Sequence, residues 1–241
     1  MQVVVWSDVV CPWCYIGKRR FERALAGFAH REDVTVTWRS FELAPDTPKD
    51  FDGSADDYLT RVRGFAPEQV KVMQAQVTAL AAAEGLDFQL STSRTGPTTD
   101  AHRLLHLAAD RGLGDELKER LLRAYFTEGQ PIADVDTLVG LGAEVGLDPA
   151  EARQVLDSDA YLAAVNADLA QARAYGITGV PFFVVDQKFG VSGAQDSAVF
   201  ADLLDKAWAD AHPLTMLGET QDPASDGTRS DADCEAGSCA V

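Results

Sequence analysis

Residues 2–7, QVVVWS, form a β-branched, apolar run of strand length that leads straight into Cys11-Pro12-Trp13-Cys14, after which Phe21, Ala24, Leu25 and Phe28 recur at helical spacing. The two cysteines therefore sit at a strand-to-helix junction. A second strand is readable in Val34–Phe41 (VTVTWRSF), where Val34, Val36, Trp38 and Ser40 alternate with their neighbours, and the chain begins as a βαβ unit.

The stretch Asp46 to Ser54, rich in Asp, Pro and Gly, has loop chemistry and marks a boundary. From there to about Ala174 the pattern is helical. Pro67-Glu68 opens a helix that Gly85 closes, and Thr98 to Asp100 caps another that ends before Gly112. Further helices are predicted at 115–126, 134–145, 149–156 and 161–175. Strand signal returns at Pro181–Val185, with a turn at 186–188 and a second arm at Phe189-Gly190-Val191, which predicts a hairpin. An amphipathic helix closes the pattern over 196–211, with Phe200, Leu203, Leu204 and Trp208 on one face. Residues 219–241 are mostly small or polar and are expected to be mobile.

Chemistry concentrates at Cys11 and Cys14. A dithiol enzyme needs one sulfur that is thiolate near neutral pH and a second near enough to resolve a mixed disulfide, and two intervening residues meet both needs. At a helix N-terminus, unpaired N–H groups and the macrodipole favour negative sulfur, and Pro12 suits the first helical position. The Cys11 thiol is accordingly expected to be depressed into the range of about 3.5 to 7.5, with Cys14 buried and less acidic. The competing reading is half of a zinc site completed by Cys234 and Cys239. Structural zinc usually takes its cysteine pairs from loops and knuckles rather than from a strand–helix junction.

Thr178-Gly179-Val180-Pro181 opens the returning strand. Beside a CPWC motif, Val180-Pro181 is predicted to be cis, setting the Val180 backbone next to the cysteines to offer strand-like hydrogen bonds to a bound peptide. Pro12 and Trp13 complete the expected substrate-binding set, Trp13 as an exposed aromatic.

The order strand, CPWC, helix, helical insertion, GVPFFVV, hairpin and final helix resembles the DsbA-like branch of the thioredoxin superfamily. WSDVVCPWCYIGK, AHRLLHLA at 101–108 and YGITGVPFFVV at 175–185 resemble the FrnE-type proteins, over essentially Val3 to Leu217. The resemblance implies an α/β, thioredoxin-like fold built from residues 1–53 and 175–217. An all-helical domain, 54–174, would be inserted to cover the active site, and 218–241 would be a flexible acidic tail. It also implies Cys11 as nucleophile, Cys14 as resolving cysteine and Pro181 as the cis-proline. The same branch holds kappa-type glutathione transferases and 2-hydroxychromene-2-carboxylate isomerases, which usually carry serine at the CPWC cysteines. Two thiols argue against that alternative, since activating glutathione needs one group and a second invites oxidation.

Cys234 and Cys239 are the less determined pair. Some FrnE-type proteins resemble this chain in such a CX4C end, which would be a second redox couple exchanging electrons with Cys11. The plain alternative is an acidic tail with incidental cysteines. His102 and His106 have metal-pair spacing, yet packing is the ordinary role of such a pair. Asp8 would tune a thiol or merely shape a turn, and Thr98, Thr99 and Asp100 would cap a helix near the site. Lys18, Arg19 and Arg20 would attract glutathione carboxylates or be solvated.

Composition bounds the rest. With 46% hydrophobic residues in 241, the chain has enough for a core without staples, and a net charge of −17 argues against nucleic-acid and anionic-membrane binding. The N-terminus has neither the basic region nor the apolar run of a secretory signal, so a cytoplasmic protein is expected. The reading that results is a protein disulfide oxidoreductase acting on protein thiols and disulfides, as monomer or homodimer. It has no metal or organic cofactor, and glutathione would be a small co-substrate. A binding or holdase module using the insertion's apolar face is the non-enzymatic alternative.

Overall fold

The structure, a computed structural model, describes residues 1–48, 51 and 53–213. Strand β1 (Gln2–Ser7) reads as an almost unbroken apolar run because it is covered on both faces. Val3 and Val5 turn to one side, into a core with Phe21, Phe28, Phe183, Phe200 and Leu204; Trp6 turns to the other, with Ala172, Ile177 and Val184. Helix α1 (Pro12–Gly27) carries the chain across to β2 (Thr35–Ser40), which pairs parallel to β1 from Gln2↔Thr35 to Ser7↔Ser40. Strands β3 (Phe182–Val185) and β4 (Phe189–Ser192) form the predicted hairpin. Its turn is closed by the Lys188 N–H donating to the Val185 carbonyl at 3.0 Å, and Asp186 and Gln187 both take positive φ, the geometry that matches strand twist. With β3 antiparallel to β1, the sheet order is β2-β1-β3-β4.

Helix α9 (Ser197–Ala211) lies beside α1 on one face, burying Phe200, Leu203 and Leu204 as its pattern predicts. Between β2 and β3 come α2 (Ala55–Asp57), α3 (Pro67–Ala83), α4 (Thr99–Asp110), α5 (Gly114–Phe126), α6 (Val135–Glu144), α7 (Pro149–Leu156) and α8 (Leu162–Ala174). The buried faces of α3 to α7 form a second core, which includes Leu104, Leu107, Leu117, Leu121 and Phe126 and also takes in Val9, Tyr15 and Ile16 from around the CPWC motif. Burial of each such large side chain is worth about 1.5–3 kcal/mol. Met1–Ala211 make one compact unit.

Two local expectations differ. Asp134 and Asp148 cap α6 and α7 through their carboxylates, but the Thr98 side chain caps nothing. Thr98 has near-helical backbone (φ −105°, ψ −2°), so its hydroxyl is not aimed at the free N–H groups of the first turn. The wide turn Tyr58–Val62, with i→i+5 bonding, has no apolar period to announce it. The expected tail, with Cys234 and Cys239, lies outside the described residues, as does the end of the thioredoxin-like segment beyond Pro213.

Candidate active site

Cys11 is the N-cap of α1, extended at φ −91° and ψ 113°, with Pro12 beginning the helix. The Cys14 N–H donates to the Cys11 carbonyl at 3.0 Å, closing the first turn and stacking the two side chains on one face. Both are free thiols and both are buried. Val180-Pro181 is cis, and the Cys11 Sγ–H donates to the Val180 carbonyl at 3.5 Å. Backbone, thiols and proline thus converge.

Beside them opens a cavity of about 600 Å³. Val10, Cys11, Pro12, Trp13, Gly179 and Val180 line it, together with residues of the long excursion between β2 and β3, Leu59, Met73, Leu80 and Tyr125 among them. Cys11 faces this space and Cys14 does not. Trp13, 43% exposed, stands at the lining as expected.

Asp8 lies fully buried on the lining. One carboxylate oxygen accepts from the Val9 N–H at 2.7 Å and from His102 Nε2 at 3.2 Å, and the other accepts from the Leu43 N–H at 2.8 Å. His102 Nε2 is also 3.1 Å from the Phe41 carbonyl, an acceptor only, so this nitrogen carries the proton. Burial works to raise Asp8, but the His102 hydrogen bond and charge, the Leu43 N–H and Lys118 outweigh it and hold the carboxyl below its ordinary range. Asp8 therefore both shapes the turn before Cys11 and anchors the segment after β2.

In this closed pair the helix end does not act alone on the two thiols. Cys11 is raised well above the usual thiol range by its hydrogen bond to Cys14, by burial and by the charge on Cys14. For Cys14, burial opposes ionisation, yet the Cys11 hydrogen bond, the Lys118 charge, the Ser7 hydroxyl and the Asp8 backbone bring it below the ordinary value. The expectation weighed only the helix end. What it missed is Lys118, a buried lysine on α5 whose position is readable as spacing: four before Leu122 and seven before Tyr125, it stands in a core-facing row.

The other candidates are dispersed. His106 does not share a site with His102: its Nε2 lies 3.2 Å from the Ser40 hydroxyl and 3.1 Å from Asp168, and Asp168 also holds Arg39 at 2.9 Å. No cluster of three metal-ligating side chains occurs among the described residues. The basic run is neither solvated nor aimed at the cavity. Lys18 meets Glu22, Asp115 and Glu119, Arg19 meets Glu22 and Glu119, and Arg20 meets Glu84 and Asp196. Among the described residues, Arg63 is the cation on the cavity lining instead. Thr98 lines the cavity, whereas the Thr99 hydroxyl donates to Glu42 at 2.5 Å and Asp100 pairs with Arg103 at 2.7 Å. Among the described residues no helix is long and apolar enough to cross a membrane.

Known proteins are similar to this chain. The uncharacterized protein YwbO of Bacillus subtilis is 32% identical over 202 residues, 83% of this chain and 94% of its own length. A probable DsbA oxidoreductase from Streptomyces coelicolor is 42% identical, with a TM-score of 0.84, over 94% of this chain and all of that one. The cytosolic disulfide reductase DsbM of Pseudomonas aeruginosa, solved with glutathione, shares the fold: TM-score 0.60 at 17% identity, over 86% of this chain and 99% of that one. Residues 2–205 match the DSBA-like thioredoxin domain, and the chain belongs to that family.

Proposed function

We propose that the protein is a thiol–disulfide oxidoreductase that exchanges electrons with protein thiols and disulfides through Cys11 and Cys14. The observation that carries this reading is the Cys11 sulfur, placed at a helix N-terminus between the Val180 carbonyl and a cavity open to substrate, with Cys14 one turn behind and out of that cavity. With Cys11 on the cavity lining, it is read as the attacking sulfur and Cys14 as the resolving one.

As a disulfide R–S–S–R′ docks along Val180, Cys11 gives up its proton and its sulfur attacks R–S, expelling R′–S⁻, which takes up a proton. Cys14 then gives up its proton and attacks Cys11, releasing R–SH. The sum is Cys11–SH + Cys14–SH + RSSR′ → Cys11–S–S–Cys14 + RSH + R′SH, and run backward it oxidises substrate dithiols. No metal or organic cofactor enters these steps. Glutathione is a fitting small co-substrate, its carboxylates meeting Arg63, and the cytoplasm is the compartment that keeps the free dithiol reduced.

Insulin disulfide reduction by the protein, by Cys11→Ser and by a chain ending before Cys234, each run beside a glutathione-dependent isomerase assay, tests the reading. Turnover lost in Cys11→Ser is the expected result, and a further drop on truncation makes Cys234 and Cys239 a second couple. Isomerisation without insulin reduction overturns it. Suppression of protein aggregation that survives Cys11→Ser, with no turnover in either assay, marks a holdase.

A further inference from the structure

Helix α3 carries more apolar surface than its own packing uses. Val70, Val77 and Ala81 are buried as one stripe at helical spacing, and Met73 and Leu80 stand beside that stripe on the cavity lining. From Gln69 to Ala83, Lys71 is the single charged residue, and Glu68 pairs with it at 2.9 Å. Leu80 is 38% exposed, and two other lining residues, Trp13 at 43% and Leu43 at 40%, are left half-covered in the same way. Several polar side chains of the lining are meanwhile occupied within the fold. The Thr47 hydroxyl donates to the Ala44 carbonyl at 2.8 Å, the Thr95 and Tyr125 hydroxyls are 3.2 Å apart, Gln74 donates to Asp56, and both Asp8 oxygens accept from their neighbours. What such a lining offers a ligand is apolar area more than hydrogen bonds.

We propose that this lining selects among disulfides by local sequence. The preferred substrate is a polypeptide whose disulfide cysteine has a large apolar side chain, aromatic or branched aliphatic, within two residues, and Met73 and Leu80 of the helical insertion are the specificity-determining residues that receive it. The inference rests on the reading of Cys11 as the attacking sulfur. Continuity carries it: Cys11, Gly179 and Val180 line the same cavity as Met73 and Leu80, so a chain held along Val180 with its sulfur at Cys11 brings its neighbouring side chains to that surface. A volume of about 600 Å³ corresponds to about 8 Å across, two to three residues of extended chain at about 3.3 Å each, which confines the choice to positions next to the cysteine. Methionine suits a surface that must accept more than one apolar shape, because its unbranched thioether adapts to what it meets.

The test uses two peptides of equal length and charge, each with one cysteine in disulfide with the same small neutral thiol. The two neighbours on either side of that cysteine are Phe and Leu in one peptide and Ser in the other. The reduced protein is expected to reduce the apolar peptide with a kcat/KM about tenfold or more above that of the polar one, the difference lying mainly in KM. Because the charges match, the preference is expected to be the same at low and at high salt. In the double variant Met73→Gln, Leu80→Asn it is expected to shrink at least about threefold. Val72→Asn, on the same helix but off the cavity lining, is expected to keep it. If the double variant does not fold, the choice made by the unmodified protein decides. Equal kcat/KM for the two peptides, a faster polar peptide, or a folded double variant with undiminished preference overturns the inference and leaves the dithiol reading standing. Turnover that survives Cys11→Ser, or no turnover of either peptide, sinks the dithiol reading and the inference with it.

Discussion

At the scale of single residues, the site is governed by charges that no motif displays. Asp8 is the clearest case, because both of its oxygens are occupied: Val9, Leu43 and His102 all donate to it. Replacing it by Asn removes the charge and turns one acceptor into a donor facing N–H groups. Asp8→Asn is expected to lose about 2–3 kcal/mol in urea unfolding, the range for breaking a buried charge-assisted network. The pH dependence follows from its lowered pKa. Above the ordinary carboxylate range, near 4, the folded and unfolded states both hold Asp8 ionised and its stabilisation is complete. Below it the unfolded chain binds the proton first, so the stabilisation drains away as pH falls through the folded value. Acid unfolding should therefore begin at higher pH in the native chain than the loss of its other carboxylates explains, and Asp8→Asn should flatten that limb. An acid limb identical in both proteins would show that Asp8 contributes nothing by ionisation. At this scale Cys11, Cys14 and Val180-Pro181 were readable, since the geometry they need is written in adjacent residues. The charges around the thiols were not, because they include Lys118, more than a hundred positions away.

At the scale of elements, the approach of α1 to the start of β3 decides whether Cys11 and Val180 meet. Gly17, one turn after Cys14, is where the helix passes Pro181: a Cβ there would lie 2.9 Å from Pro181 Cγ and 3.4 Å from Ala194 Cβ. Both neighbours belong to packed segments, so the helix itself would have to shift. Gly17→Ala is expected to cost about 1–3 kcal/mol, the range for overpacking, despite the better helix propensity of Ala. Because the shift separates Cys11 from Val180, insulin-reduction kcat/KM should fall further than the stability loss explains. Thermal unfolding beside kinetics measures both, and a variant with unchanged activity would mean that α1 and β3 give way independently. Helices and strands were legible where apolar residues run or recur: β1 and the first arm of the hairpin as unbroken apolar runs, α9 at a period of 3.6. The Tyr58–Val62 turn and the uncapped Thr98 were not, since neither carries a period or a side-chain hydrogen bond that sequence spacing announces.

At the scale of the whole molecule, the thioredoxin-like order of elements could be traced through the sequence, but the cavity could not. Its lining is drawn from single residues such as Leu43, Leu59, Met73 and Tyr125, scattered over different elements and joined only by folding. Charge is the global property that composition does expose. The chain carries 21 Lys and Arg against 38 Asp and Glu, a balance of 21 − 38 = −17. The basic run on α1 is consumed by ion pairs, which leaves Arg63 as the cation on the cavity lining. A field of this sign repels acidic partners before contact and attracts basic ones, and it reaches about 30 Å at 0.01 M salt but only about 8 Å at 0.15 M. Two disulfide peptides of equal length, one lysine-rich and one glutamate-rich, are therefore expected to differ by about tenfold or more in kcat/KM at the lower salt, the basic one faster. Raising salt should slow the basic peptide and speed the acidic one until they converge, with the change carried by KM and association rather than by kcat. A preference that holds at every ionic strength would place substrate choice in contacts inside the cavity, where screening does not reach, and would make Arg63 rather than net charge the residue to alter next.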